Sequence, residues 1–367
     1  MSDYTKINWN NTDTPISATN LNKMDDQIKV LSDKFPILPA DISEDAMNLP
    51  RKNLLNILKL KLQMALSSTD IDAWSDVLTD NSLINDSLSS FYSVSDDSLV
   101  VKSYFAVTKS PQTAVNDSSA GDLAWSNPDS ACIKHSEDGS FAGLGAGTSQ
   151  YLKASNFGFS IPSNAVINGI QIDVLKGEAT DENYYNCYDV SAYIVTASGN
   201  ISTVQNKKSS YQWSHVSLDS SSSNYISNRP YTNYGGSTDL WGLSWTPLDI
   251  NSSNFGFAFQ ALNGNSSKWA VVDHIKITVF YTVPSPTATI IWNSVTPSEA
   301  LTYIAITSDQ SFTSGTINWY ISENGTNWIK ITSLDTLQAV NFTLNSLHLK
   351  CTMTGDAKID AVAFGGY

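Results

Sequence analysis

The chain has 367 residues, enough for two or three domains with cores of their own. Charged residues make up 15% of it, below the roughly 25% of a typical soluble protein; Ser, Thr and Asn fill the gap beside 10 Trp and 16 Tyr, a mix that suits β-rich domains with uncharged polar surfaces. A net charge of −14 with no basic stripe argues against attraction to nucleic acid or an anionic membrane, and no apolar run reaches the roughly 18 residues of a membrane span.

The first predicted element is a helix from Thr14 to Phe35. Its apolar positions Leu21, Met24, Ile28, Leu31 and Phe35 are spaced three, four, three, four. That is the a/d seam of a coiled coil rather than the broader stripe of a helix lying on a large core. Thr14-Pro15 is a start signal, Ser17 and Thr19 are further capping residues, and Phe35-Pro36 is the stop. So short a helix is marginal alone in water and has to pack on something. The expectation is self-association through this seam; docking on its own chain or on a neighbouring protein is the alternative.

The run Ile7-Asn8-Trp9 followed by Asp13-Thr14-Pro15-Ile16-Ser17-Ala18-Thr19-Asn20-Leu21-Asn22-Lys23-Met24-Asp25 resembles the N-terminal segment of tailed-phage appendage proteins, among them tail, neck and baseplate-associated fibres. In that family the segment attaches the fibre to the particle and starts a trimer. The resemblance therefore implies a homotrimer held by other virion proteins. The start Met-Ser-Asp-Tyr-Thr-Lys lacks an apolar h-region, so no signal peptide is expected, which fits a virion part made in the host cytoplasm.

Residues 36–94 are expected to form a connector, a second helix and a lead-in. Pro36, Pro39 and Pro50 disfavour helix before them, and an amphipathic stretch follows from Lys52 to Ser67. The segment Ala73-Trp74-Ser75-Asp76-Val77-Leu78-Thr79-Asp80, continuing through Ile84-Asn85-Asp86-Ser87, resembles the lead-in to β-sandwich modules of phage and bacterial surface proteins. Its carboxylates are either oxygen ligands for Ca²⁺ or Asx-turn and cap residues. No cofactor is expected.

Residues 95–283 are expected to form a large jelly-roll-like β-sandwich. Ile170, Ile172 and Val174 alternate with period two, as do Val190, Ala192 and Ile194. The longest alternation is Val271, Asp273, Ile275, Ile277, Val279, Tyr281, with Val272, His274, Lys276, Thr278 and Phe280 opposite. Pro162, Ala165, Ile167, Gly169-Ile170 and Ile172, with Asp239-Leu240-Trp241-Gly242 further on, resemble a sandwich module of phage virions and large surface proteins.

Val283-Pro284-Ser285-Pro286 is a stiff linker, and residues 287–367 are expected to form a small β-sandwich. Within it, Ser322-Glu323-Asn324-Gly325-Thr326-Asn327-Trp328 is a hairpin turn that resembles the Asp-box of sialidases. It differs by one residue before the glycine and by Asn in place of Asp, and in those families the turn is structural.

No catalytic arrangement is visible in the sequence. His135, His215, His274 and His348 have no metal spacing, and there is no nucleophile elbow. Gly143 to Gly147 lacks the context of a phosphate cradle, and neighbouring carboxylates such as Asp181/Glu182 do not define a glycosidase pair. Cys132, Cys187 and Cys351 are odd in number and far apart, and are expected to be free, mostly buried thiols.

Aromatic side chains are the candidates for recognition, because Tyr and Trp join an apolar face to a polar handle and suit sugar rings as well as proteins. Tyr184 and Tyr185 stand in a polar loop; Tyr231, Tyr234 and Trp241 stand in a Ser/Asn/Gly-rich stretch. Core packing is the alternative for each, above all for Trp241. The expectation is a non-enzymatic, fibre-like virion protein that presents a recognition face to a host-surface glycan or protein, without nucleic-acid binding or membrane insertion. A scaffold binding only other virion proteins and a bacterial carbohydrate-binding surface module are the alternatives.

Overall fold

The computed structural model describes residues 72–367 apart from 77, 79, 135–139, 180–185, 220, 224, 265–267 and 344–345. Both expected helices, with the seam residues Leu21, Met24, Ile28, Leu31 and Phe35, lie outside the described residues. The described chain is mainly β and sandwich-like, with sheets that are almost wholly antiparallel. No helix among the described residues is long and apolar enough to cross a membrane.

The chain forms two compact units. One is continuous, Ser103–Pro284; the other takes its strands from both flanks, 72–102 and 285–367. The first flank supplies β1 (Asp72–Asp76), β2 (Tyr92–Ser95) and β3 (Ser98–Val101). The inserted unit contains β4 (Tyr104–Lys109), β5 (Thr113–Asp117), β6 (Ala142–Leu144), β7 (Gly147–Thr148), β8 (Tyr151–Ser155) and β9 (Val166–Ala179). It continues with β10 (Cys187–Val195), β11 (His215–Val216), β12 (Thr232–Gly236), β13 (Gly256–Asn263) and β14 (Trp269–Thr282). The second flank adds β15 (Ala288–Ile291), β16 (Tyr303–Ser311), β17 (Thr316–Ser322), β18 (Ile329–Lys330), β19 (Gln338–Ala339), β20 (His348–Thr354) and β21 (Lys358–Gly366).

In the flanking unit one sheet runs β19-β16-β21-β3-β2, with β1 also on β21; the other runs β15-β20-β17-β18. This corrects the expected division, which left 72–94 in a lead-in and completed the last domain within 287–367. β1 pairs along β21 from Asp72↔Gly366 to Asp76↔Val362, and β3 pairs β21 at Lys358 and Ile359. The reason is burial. β21 is buried along most of its length, and its unpaired backbone would have no water to bond. The final Gly365 and Gly366 fit this packing: a Cβ would lie 2.4 Å from Asp72 O at one and 2.4 Å from Tyr303 O at the other. Leu78 and Leu99 join Trp292, Ile304, Trp319 and Ile321 in a single core, and Asp76 accepts from Trp292 Nε1 at 2.9 Å.

The lead-in carboxylates are spent on such contacts. Asp76 also accepts from Leu78 N at 2.8 Å, Asp80 from Ser82 N at 2.7 Å, and Asp86 from Tyr92 OH and Asn81. Bonds from Ser82 hold the Asp80 carboxyl below its usual range. Among the described residues no group of three or more His, Cys, Asp or Glu side chains is placed to hold a metal ion. The three cysteines are free and buried.

In the inserted unit one sheet runs β10-β13-β8-β5, with β7 on β13; the other runs β11-β9-β14-β4, with β12 on β9 and β6 on β14. Ile170, Ile172, Val174, Ile275, Ile277 and Val279 are buried, as are Phe257, Phe259, Leu152 and Ile194 of the first sheet. The long alternation in β14 is interrupted. Register shifts between Val272 and His274, so Asp273 is the extra residue of a bulge. Val271 therefore packs with Leu175, Val216, Tyr225 and Ile226 rather than continuing the row of Ile275.

The two separated sequence motifs meet. Ile170 N donates to Asp239 O at 2.9 Å, Trp241 Nε1 donates to Ile170 O at 3.0 Å, and Trp241 N donates to Asp239 Oδ1 at 2.8 Å. Gly169 is required because a Cβ there would lie 2.4 Å from Gly236 O and 2.3 Å from Ser237 C, both backbone atoms.

Candidate functional site

Of the five predicted recognition residues, Tyr184 and Tyr185 lie outside the described residues. Tyr234 and Trp241 are corrected: both are core residues, 2% and 0% exposed. Tyr234 packs at a tilt against the interior rings Phe257 and Phe259 and donates its hydroxyl to Asp189, and Trp241 is fixed at the motif corner. Only Tyr231 is partly open, and it marks the edge of an open sheet face.

That face is the side of β12-β9-β14-β4 turned away from Ile172 and Ile275. Alternation across the ladders places Asn233 opposite Asp173, Lys276 opposite Asp173, Thr278 opposite Gln171, and Thr108 opposite Thr278. Ala106 stands opposite Phe280. One half of the face is covered, where Val216, Tyr225 and Ile226 pack on Leu175 and Val271, with Tyr231 and Leu218 against them. The other half is an open shelf. Tyr104, Ala106, Thr108 and Ser110 are exposed on it, and Gln171, Lys276 and Phe280 are half-buried.

The shelf has a wall and a floor. At the wall, Tyr231 OH is 2.7 Å from His274 Nδ1 and Ser110 Oγ is 2.9 Å from His274 Nε2, so both imidazole nitrogens are bonded. Lys276 Nζ lies 4.2 Å from the centroid of the Tyr231 ring and 3.6 Å from Asp173 Oδ2. Asp173 also accepts from Gln171 Nε2 at 2.8 Å and from Asn233 Nδ2. Burial, then the charges of Asp273 and Asp173, push the Tyr231 hydroxyl up to about 12, so it keeps its proton and can donate. Toward the far end, Tyr104 and Phe280 stack at 6.4 Å with 26° between planes, and Tyr104 is 47% exposed.

Asp173 itself is buried and orients Gln171, Asn233 and Lys276. The open row of amide, ammonium and hydroxyl groups between aromatic rings matches a hydroxylated ring compound, which has apolar C–H faces and many short-range polar groups. Tyr104, Gln171, Asp173, Asn233, Lys276 and Phe280 were not singled out in the sequence. Their positions converge only through strand pairing across more than a hundred residues of chain. The alternating outer positions of β14 were the one available signal.

Behind the shelf, the interior holds a second polar cluster. Lys176 Nζ bonds Asp189 and lies 4.7 Å, 5.1 Å and 5.3 Å from the centroids of Trp213, Phe259 and Tyr234. Asp189 further accepts from Trp213 Nε1 at 2.7 Å, Tyr234 OH at 2.8 Å and Ser209 N at 2.9 Å. This cluster joins the two sheets and is closed to ligand, since Lys176 and Asp189 are 7% and 5% exposed.

No protein-family model matches the sequence, and no curated protein matches it. Two solved structures show distant likeness. The N-terminal CBM22-1–CBM22-2 tandem domain of Paenibacillus barcinonensis Xyn10C is 6% identical, covers 71% of this chain and 97% of its own, and has a TM-score of 0.23. The β-1,2-glucanase of Parabacteroides distasonis is 11% identical, covers 69% of this chain and 34% of its own, and has a TM-score of 0.20.

Proposed function

We propose that this chain is an appendage protein of a tailed-phage virion, of tail, neck or baseplate, that recognises a host-surface glycan through the open shelf of the inserted unit. The observation that carries the recognition reading is the juxtaposition of the Tyr104–Phe280 stack with the polar side chains Gln171, Asn233 and Lys276 on one open sheet face, where buried Asp173 contacts all three. Attachment and trimerisation rest on the N-terminal resemblance and on the seam Leu21, Met24, Ile28, Leu31 and Phe35. The larger unit is read as jelly-roll-like. Three shelves on one trimer would bind a repeating polymer far more tightly than one, because the second and third contacts are intramolecular.

A glycan array followed by calorimetry on the best ligand tests the shelf. Tyr104→Ala is expected to weaken binding about tenfold, the order of one aromatic stacking contact, with the unfolding midpoint nearly unchanged. Unaltered affinity would remove the shelf from the reading. Solution mass by light scattering tests the assembly: the full chain is expected to be a trimer, and a chain beginning at residue 72, which keeps β1 to β3, a monomer. A monomeric full chain would remove the seam from the reading.

A further inference from the structure

We infer that the outer face of β18-β17-β20 in the flanking unit binds an anionic group carried by a sugar or polyol polymer, through Lys350 and Lys330. The reading is independent of the shelf, which lies in the other unit.

The argument starts from register. Tyr320 pairs directly with Lys350 on one side and with Lys330 on the other, so two cations straddle one ring. Directly opposite side chains on neighbouring strands are adjacent, so each lysine neighbours the Tyr320 ring while the two cations stand two strands apart, one on either side of it. Neither lysine has a carboxylate partner among the described residues, although acids outnumber bases by 35 to 21 in the chain. Beneath this face, Leu349, Cys351, Met353, Trp319 and Ile321 fill the core, which turns Lys350 and Tyr320 outward.

Lys350 is also held in place. Its Nζ lies 4.5 Å from the centroid of Tyr320 and 4.2 Å from that of Trp328. Trp328 is set there by the Asp-box-like turn. Asn324 Oδ1 accepts from Thr326 N at 2.9 Å and from Asn327 N at 2.9 Å, and Ser322 Oγ accepts from Gly325 N at 3.0 Å. Gly325 has φ +71° and lies against the His348 ring, where a Cβ would be 3.3 Å from Cε1. The turn thus has a consequence beyond closing a hairpin: it fixes an ammonium group between two rings, with part of its water already removed. Burial accordingly holds the Lys350 ammonium pKa below its usual value. A preordered, partly dehydrated cation costs little further entropy or desolvation when an oxyanion arrives.

The oxyanion is a phosphodiester or a carboxylate. Because the chain carries a net charge of −14, long-range attraction does not gather polyanions to it, and binding has to come from a local site. Calorimetry on the full-length protein uses four probes: a polyglycerol phosphate oligomer, an oligogalacturonate, a neutral maltooligosaccharide and a single-stranded oligodeoxynucleotide. Binding of either of the first two, with the neutral probe silent, is the expected result, and which one binds identifies the anion. Lys350→Met keeps most of the aliphatic stem over the rings and is expected to weaken binding about tenfold, the order of one charge-assisted contact. Lys330→Ala serves as a second variant outside the ring sandwich and is expected to weaken binding as well. Tyr104→Ala reports separately on the shelf: binding lost in Tyr104→Ala but kept in folded Lys350→Met and Lys330→Ala would place the anion on the shelf and overturn this inference without touching the shelf reading. The inference is overturned if neither anionic oligomer binds, if the neutral probe binds equally, if the oligonucleotide binds more tightly than both, or if folded Lys350→Met and Lys330→Ala bind like the parent.

Discussion

Asp189→Ala is expected to destabilise the inserted unit by about 3–5 kcal/mol, the usual cost of removing one partner from a buried ion pair. For a unit of this size that lowers the unfolding midpoint by about 6–20 °C, measured by scanning calorimetry. Asp189 is 5% exposed and accepts from Lys176, Trp213 Nε1, Tyr234 OH and Ser209 N, so the variant takes this acceptor from four donors and strips Lys176 of its counter-charge, leaving the ammonium its bond to the Tyr234 hydroxyl at 2.6 Å. The rings around Lys176 offset only part of this loss. The pH dependence identifies the ammonium as the costly orphan. Burial pulls Lys176 down to about 8 from 10.5, against the opposing pull of Asp189. Above about pH 8 the folded protein therefore holds fewer protons at this site than the unfolded chain, and stability rises with pH until the unfolded lysine also deprotonates. Tyr234 acts in the other direction, but only above pH 10, because burial keeps its hydroxyl protonated well beyond the usual value. Without Asp189 the lysine loses the group that favours its charge and gives up its proton at lower pH than in the parent, so the deficit measured at pH 7 is expected to shrink as pH rises to about 8, where the parent's lysine also deprotonates, and to stay level from there to pH 10. A deficit that stays constant as pH rises from 7 to about 8 would show that the lost hydrogen bonds, not the stranded charge, dominate.

The same residues show what could be seen in the sequence. Period-two alternation revealed Ile170, Ile172 and Val174 as a core face, because side-chain direction in a strand is local information. It did not reveal that Lys176, the next position in that series, lies inside, since its partner Asp189 sits on the other sheet. Alternation also failed at Asp273, where one extra residue reverses the faces of β14, and nothing in the surrounding residues announces a bulge. The proline-marked break near Val283 was legible as a change of unit. The return of β1 and β3 to β21 was not, because pairing across more than 250 residues is decided by which edge remains open. Aromatic content drew attention to the stretch 231–241 but does not tell which of its rings face outward. Tyr231 reaches the shelf, while Tyr234, three residues on, turns inward to the Asp189 cluster.

Trp241 separates a recognition role from a structural one. Trp241→Ala is expected to cost about 3–5 kcal/mol, read as a lowered urea midpoint with an unchanged slope. The indole is fully buried, lies edge-on to Phe257 at 6.3 Å, and donates Nε1 to Ile170 O at 3.0 Å. It thereby joins the corner after β12 to β9, the strand that carries Gln171 and Asp173 on its outer side. Its backbone has φ +59°, a strained region for a bulky residue that the surrounding packing has to hold. Neighbouring Gly235 leaves room for the ring: a Cβ there would sit 2.7 Å from Trp241 Nε1. Trp241→Phe keeps much of the apolar volume but leaves Ile170 O without this donor, and is expected to cost about 1–3 kcal/mol, less than alanine. Under conditions where Trp241→Phe is folded, its glycan affinity is expected to equal that of the parent, whereas Tyr104→Ala loses affinity with little loss of stability. The reverse pattern, a stable Trp241→Phe that no longer binds, would return Trp241 to the recognition surface and take the shelf out of it.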